Sequence, residues 1–276
     1  MFILYWVPKN LLSYWVGKLM HFQFPKPINQ FLIKSFAVLY KININEAEFP
    51  IADYLSIGDF FIRRLKVGSR PIAKYDYVHP ADAMMTARGL IIGQQLIQAK
   101  GSTYPLSSFL QESSVDRWSK GFFITYYLCP TDYHRVHSPV DGFIKEVRYV
   151  PGNLWPVNEW SVSNISELFV KNERVIIEIQ TEKGPIAVVL VGATNVGSIR
   201  LAFEPSLKSN HEHKRISRKI TYLEPIRIQR GDELGLFAMG STVIVIASST
   251  WTELKAITQT HEPVQTQVGA STEIVY

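Results

Sequence analysis

The spacing of apolar positions changes character near residue 78. Before it, residues 9–22 and 28–41 carry apolar side chains at helical intervals, which predicts two helices. Pro25-Lys26-Pro27 separates them, because a proline inside a helix loses a backbone donor and clashes with the preceding turn. Ser56-Ile57-Gly58-Asp59 has the form of a capping box, so a third short helix is expected through Phe60-Phe61-Ile62-Arg63-Arg64-Leu65. Beyond residue 78 the apolar runs are short and punctuated by Gly and Pro. Val175, Ile177 and Ile179 alternate with Ile176, Glu178 and Gln180, as on a half-buried strand. Residues 186–193 and 242–247 are continuous apolar runs rich in β-branched residues, the pattern of buried strands. No fixed-period repeat or low-complexity segment is present. The pattern predicts an α+β protein: a helical N-terminal region over residues 1–65, then a mostly antiparallel β domain over residues 66–276.

Composition narrows the partners. The chain has 276 residues, 46% hydrophobic and 19% charged, a globular balance with room for one sizeable core. A net charge of +5 favours anionic partners. No dense Lys/Arg run or RNA-binding aromatic signature accompanies it, so acidic lipid is favoured over nucleic acid. Cys129 is the single cysteine and reads as a packed residue; no internal disulfide is possible, which suits a reducing compartment. No 18-residue apolar segment is free of charge, so a transmembrane helix is not expected. Leu12, Trp15, Val16 and Leu19 nevertheless share one helical face near Lys9 and Lys18. Phe2, Tyr5, Trp6, Tyr14, Phe22 and Phe24 add to the aromatics of the first 24 residues. Rings with lysines suit an interfacial helix, although the same face can pack on a core. A signal peptide fits poorly: the start lacks a basic segment and Pro8-Lys9-Asn10 interrupts the apolar stretch.

The candidate chemistry centres on Met239-Gly240-Ser241-Thr242, just before Val243-Ile244-Val245-Ile246. It is not the Gly-x-Ser-x-Gly elbow, because Met239 and Val243 occupy the glycine positions. The spacing does allow the Ser241 hydroxyl to attack its own preceding carbonyl, since Gly240 bends at little steric cost. Self-cleavage is the reading that follows. Other unusual strings accompany this one. Tyr126-Tyr-Leu-Cys-Pro-Thr-Asp-Tyr-His-Arg-Val-His-Ser-Pro-Val-Asp-Gly142 carries His134 and His137, and Val78-His-Pro-Ala-Asp82 ends on a carboxylate. Pro151-Gly-Asn-Leu-Trp-Pro-Val-Asn158, Asn172-Glu-Arg-Val175 and Val191-Gly-Ala-Thr194 follow. In this order, from about residue 45 to residue 250, they resemble the phosphatidylserine decarboxylases of bacteria. Ala83 stands where that family usually carries glycine, and Met239 where it usually carries leucine.

The resemblance implies a specific chemistry. Ser241, His137 and Asp82 would form a relay: Asp82 orients the His137 ring, and His137 takes the Ser241 proton. Cleavage at Gly240-Ser241 through an ester would convert residue 241 into a covalent pyruvoyl cofactor. That group would form a Schiff base with the amine of phosphatidylserine and accept the electrons left by carbon dioxide. His134 would contact the substrate carboxylate or donate the returning proton, and either histidine suits the donor role. The resemblance also implies two cleaved chains held as a heterodimer, able to dimerise further, peripheral on the cytoplasmic face of the cell membrane.

Taken singly, each residue has a plainer reading. Asp82 suits a turn, His134 a surface loop and Ser241 a polar strand entry; their coincidence inside matching strings favours the functional one. Two rival functions remain, a serine hydrolase using the same three residues in trans and an inactive membrane-associated relative. The hydrolase predicts an intact chain reactive toward fluorophosphonates. His211 and His213 lie among Lys208, Lys214, Arg215, Arg218 and Lys219 and read as a solvated basic loop, because no third zinc ligand is nearby.

Overall fold

The computed structural model describes residues 9–99, 102–194, 198–207, 209, 216–238, 241–257 and 262–271. His211 and His213 lie outside the described residues. The helices are α1 (Lys9–Met20), α2 (Lys26–Leu39), α3 (Ile57–Phe61), α4 (Leu106–Leu110), α5 (Glu159–Asn164), α6 (Leu168–Lys171) and α7 (Leu254–Ile257). The strands are β1 (Ala83–Leu90), β2 (Gln95–Ala99), β3 (Ser102–Pro105), β4 (Phe122–Leu128), β5 (Arg135–His137), β6 (Gly142–Val150) and β7 (Arg174–Thr181). They continue with β8 (Gly184–Val191), β9 (Ile199–Leu201), β10 (Arg218–Ile228), β11 (Glu233–Phe237), β12 (Ser241–Ala247) and β13 (Val264–Thr266).

The helices begin and end for local reasons. α2 starts two residues earlier than its apolar period because Pro27 sits in the first turn, where amide donors have no intrahelical partner anyway. α3 is capped as its sequence predicts: the Ser56 hydroxyl accepts the Asp59 N–H at 3.0 Å. The Asp59 carboxylate reaches back to the N–H of Leu55, one residue before the cap. α3 ends at Phe61, so Ile62 to Leu65 leave the helix. Apolar side chains from these segments, Ile33, Ala37, Ile42, Ala47, Tyr54 and Phe60, form a small cluster of their own.

An eight-stranded antiparallel sheet carries the rest, in the order β10-β6-β7-β8-β12-β4-β1-β13. A second sheet orders β5-β11-β9, and β2 pairs with β3. The continuous apolar runs become β8 and β12, neighbours in the middle of the large sheet. Ile186–Val191 and Thr242–Ala247 are buried throughout, which explains why their sequences do not alternate. β7 corrects the half-buried expectation: Arg174 to Ile179 are buried on both faces. The polar members of its second face are covered because they find partners. Glu178 receives hydrogen bonds from Arg117 at 2.6 Å and from Arg148 at 3.1 Å. The Arg174 guanidinium donates to the carbonyls of Ser108, Phe109, Val170 and Asn172, satisfying carbonyls that helix ends leave unpaired.

Three strings far apart in sequence meet around Asn172, which is fully buried. Its side chain accepts the Trp155 N–H at 2.9 Å and donates to the carbonyls of Trp155 and Gly192. Thr194 adds a bond to the Leu154 carbonyl. Gly152 packs so tightly here that a Cβ would sit 2.6 Å from the Lys171–Glu173 backbone. Asn172→Ala should leave these groups unpaired and lower unfolding stability by about 2–4 kcal/mol, since each orphaned buried group costs about 1–3 kcal/mol. Urea denaturation measures it, and an unchanged midpoint would show that the knot adds nothing.

Candidate active site

Strand register delivers Asp82 and Ser241 to the same end of the large sheet. Met84 of β1 pairs with Tyr127 of β4, which pairs in turn with Thr242 of β12. Two strand spacings, roughly 10 Å, therefore separate β1 from β12. Ser241 stands opposite Leu128, the last residue of β4. From Leu128 the chain turns through Cys129 to His134 and enters β5, which pairs with β11: Arg135 faces Leu236 and His137 faces Glu233. The Phe237 N–H binds the His134 carbonyl at 3.0 Å, and the chain reaches Ser241 four residues later. That span is at most ~14 Å of extended backbone. The His137 N–H also binds the Pro80 carbonyl at 2.8 Å, tying β5 to the loop that presents Asp82.

Asp82 and His137 converge without touching. The Asp82 carboxylate is held by Arg70, through Nε at 3.0 Å and Nη2 at 2.6 Å, and by the Val268 N–H at 2.9 Å. Arg70 also binds Glu46 at 2.9 Å. The His137 ring spends Nδ1 on the Gly231 carbonyl at 2.6 Å and Nε2 on the Tyr133 hydroxyl at 3.2 Å. A carbonyl only accepts, so Nδ1 carries the proton and Nε2 the lone pair. Gly231 makes this bond from a φ of +83°, and a Cβ there would lie 2.5 Å from Ile72. Burial lowers the His137 pKa; the Gly231 bond and the fields of Glu233 and Asp82 oppose it, while Arg135 adds to the lowering.

His134 is fully buried, its ring stacked on Phe61 with centroids 4.0 Å apart. Nδ1 donates to the Asp132 carbonyl at 2.8 Å, while Nε2 is buried without a partner. Burial, against the bond to Asp132, lowers its pKa to about 3, and the charge of Arg63 helps. The residues that complete these surroundings were not singled out from sequence. Arg70 stands in a plain Ser-Arg-Pro string, Tyr133 is one residue of the Tyr126–Gly142 string with nothing to mark it, and the Gly231 contribution is a carbonyl that no side-chain pattern reveals. A glycine-aspartate turn before an apolar run was the available signal for Gly231.

Comparison with known proteins places the chain in a family. The family model for phosphatidylserine decarboxylase matches residues 57–273. A protein of Anaeromyxobacter sp. (strain K) named phosphatidylserine decarboxylase proenzyme is 41% identical over 244 residues, covering 87% of this chain and 86% of its own. A protein of the same name from Vibrio cholerae serotype O1 (strain ATCC 39541 / Classical Ogawa 395 / O395) is 39% identical over 247 residues, again 87% and 86%. One from Hamiltonella defensa subsp. Acyrthosiphon pisum (strain 5AT) is 41% identical over 227 residues, 79% and 78%. The chain is by this measure a carboxy-lyase. It belongs to the phosphatidylserine decarboxylase family.

The buried histidines also set a pH dependence. His79, bonded to the Tyr126 hydroxyl at 2.9 Å, is held at about 4 by burial, with Arg88 adding to the effect. A histidine whose folded value is depressed resists protonation, whereas the unfolded chain takes up a proton below about 6.5. Stability is therefore intact above pH 6.5 and lost as pH falls, by about 1.4 kcal/mol per pH unit for each such histidine. Urea unfolding at pH 7.5, 6.5 and 5.5 should show this loss, and His79→Gln should reduce it by the share of one histidine, since His134 and His137 remain. A flat profile in the parent chain would contradict the buried neutral rings.

Proposed function

We propose that the chain is a proenzyme that cuts its own Gly240-Ser241 bond and then decarboxylates phosphatidylserine to phosphatidylethanolamine, using a pyruvoyl group left on residue 241. The observation that carries the reading is the register of Ser241, opposite the end of β4, from which the chain turns directly to His134 and His137. The relatives' names, each a phosphatidylserine decarboxylase proenzyme, support it.

In the cutting step the Ser241 oxygen attacks the Gly240 carbonyl carbon while the His137 Nε2 lone pair, given up by the Tyr133 hydroxyl that holds it at 3.2 Å, takes the hydroxyl proton. The peptide C–N bond breaks as its nitrogen accepts that proton, leaving an ester. Loss of the residue 241 α-proton then expels the Gly240 carboxylate, and one water releases ammonia, leaving the pyruvoyl group. Asp82 serves through its field, which favours the charged imidazole, and through Arg70 and Val268, which fix the loop next to β5. The depressed His137 pKa keeps the base neutral below the ordinary imidazole range.

The surroundings fit the group, because the unpartnered Nε2 of His134 lies in a water-poor site where a proton must be handled. When present, the pyruvoyl carbonyl supplies an electron sink for the pair released by a departing carboxylate. His134 supplies the proton. An anionic headgroup beside Nε2 offsets the burial penalty and draws a proton onto the ring. When the carboxylate leaves as carbon dioxide, that anion is gone and the imidazolium becomes acidic enough to protonate the former α-carbon. The two chains remain together as a heterodimer because β12, on the short chain, is flanked by β8 and β4 of the long one. Further dimerisation remains open to this pair.

The processing experiment is a denaturing mass spectrum with a decarboxylation assay. Wild type should give two chains, 1–240 and a fragment from 241 with a blocked terminus. Ser241→Ala should stay intact and inactive; His137→Ala should cut poorly, and Asp82→Asn less severely because Asp82 makes no bond to the ring. His134→Ala should cut normally and then turn over about 10²–10⁴-fold more slowly per cleaved chain, the usual loss for a general acid. A single intact mass from active wild type would sink the proposal and favour the serine hydrolase.

Residues 1–65 are proposed to attach the chain peripherally to the anionic cytoplasmic face of the cell membrane. Leu11, Trp15 and Leu19 of α1 and Phe31, Val38 and Leu39 of α2 are exposed, and Lys18 lies over the Tyr14 and Trp15 rings. Among the described residues no helix is long and apolar enough to cross a membrane. An apolar face flanked by lysine suits an interface. A chain lacking residues 1–40 should lose most of its flotation with liposomes containing acidic lipid; undiminished flotation would move the attachment surface to the β domain.

A further inference from the structure

Arg63 follows α3 and is 5% exposed, yet its Nε and Nη1 are buried without a hydrogen-bond partner. Other buried arginines are better matched: Arg174 donates to four carbonyls and Arg148 to Glu112 and Glu178, and among the described residues only Arg63 has two guanidinium nitrogens buried in this state. The two carboxylates whose fields reach Arg63 are Asp82 and Glu46, and Arg70 binds both. What Arg63 has instead is the Phe60 ring, 5.2 Å from its guanidinium carbon. Leaving a buried cation in this condition costs several kcal/mol, so a fold that keeps it there holds it for an anion supplied from outside.

The position of Arg63 says which anion. Its carbonyl and that of Ile62 receive Nε of Arg135 at 3.3 and 3.0 Å, which fastens the end of α3 to the strand between His134 and His137. Phe61 covers the His134 ring on one side and meets Phe36 of α2 at 6.3 Å on the other. The order in space is exposed apolar helices, then α3, then the unpartnered His134 imidazole. A serine phospholipid has the same order: acyl chains, phosphodiester, amino-acid headgroup.

We propose that Arg63 binds the substrate phosphodiester, an inference that rests on the phosphatidylserine reading above. The carboxylate is the poorer candidate on energetic grounds. An arginine clamped to it would stabilise the ground state and lose that contact as carbon dioxide departs, raising the barrier. The phosphodiester keeps its charge throughout, so binding it holds the lipid without opposing the chemistry. The guanidinium fork also matches two phosphate oxygens at once.

The test uses the full, processed chain carrying Arg63→Met or Arg63→Lys, with short-chain phosphatidylserine and short-chain phosphatidylethanolamine. The second lipid keeps the phosphate and lacks the carboxylate, so its direct binding, followed by calorimetry, separates the two anions without relying on turnover. Both variants should be cut like wild type. Arg63→Met should raise KM and weaken phosphatidylethanolamine binding by the same factor, about 10- to 100-fold, with kcat within a few-fold. Its Tm should hold or rise, because an unpaired buried charge has been replaced by an apolar chain of similar length. Arg63→Lys should recover part of the affinity. Weaker KM with unchanged phosphatidylethanolamine binding would assign Arg63 to the carboxylate and overturn the proposal. So would unchanged affinity for both lipids, or an uncut chain with a lowered Tm, which would make Arg63 structural. Failure of wild type to act on phosphatidylserine would instead overturn the substrate reading, and the calorimetric comparison would still decide whether Arg63 binds a phosphodiester.

Discussion

Everything at this site depends on the pairing of β12 with β8 on one side and β4 on the other. The ladder with β4 runs unbroken from Ser241–Leu128 to Ala247–Phe122. A slip by one residue would turn Val243 and Val245 to the opposite face and carry Ser241 away from the end of β4. Both faces of β12 are buried, so its register is held by the fit of its side chains against each face. The backbone position of Ser241 is thus fixed by the interior of the sheet. For the proposed self-cleavage, a residue held at the first position of such a strand has the restricted approach that an intramolecular reaction needs.

The interior treats charge in two distinct ways. Arg148, Arg117, Glu112 and Glu178 form a closed network in which burial would raise the Glu112 carboxyl, yet hydrogen bonds from both arginines hold it below its usual value. In this network each charge lies against an opposite one, Arg148 Nε included, which pairs with Glu146 at 2.6 Å. His134 and Arg63 are buried without that satisfaction. Groups of this kind lower stability, and proteins tolerate them chiefly where a ligand will complete them. Two such groups, His134 and Arg63, lie on either side of Phe60 and Phe61, which is where the proposed ligand would complete them.

A lipid substrate imposes a further demand, because its chains belong in a bilayer and its headgroup must react away from water. The aromatic path from Phe36 through Phe61 to His134 spans that gap. α3 stands at its middle, capped by Ser56 at one end and fastened through Arg135 at the other. A short helix fixed at both ends carries Phe60, Phe61 and Arg63 next to His134, while its helical neighbours keep apolar residues exposed.

Much of this was written locally in the chain. The apolar periods gave α1 and α2, the Ser56 cap gave α3, and uninterrupted β-branched runs marked β8 and β12 as interior strands. Short strings around Asp82, His134, His137 and Ser241 carried the family resemblance and, through it, the proposed chemistry. The half-buried expectation for β7 failed because nothing local discloses that Arg174 and Glu178 will find partners from α4, α6 and distant arginines. Arg70, Tyr133, the Gly231 carbonyl and the unpaired state of Arg63 were equally hidden. The sequence by itself determined which elements form and which side chains are chemically able. Only the tertiary structure decided which groups meet and which are left without a partner. Periodicity and capping act over a few residues, whereas hydrogen bonding and desolvation depend on neighbours that the chain brings in from tens or hundreds of positions away.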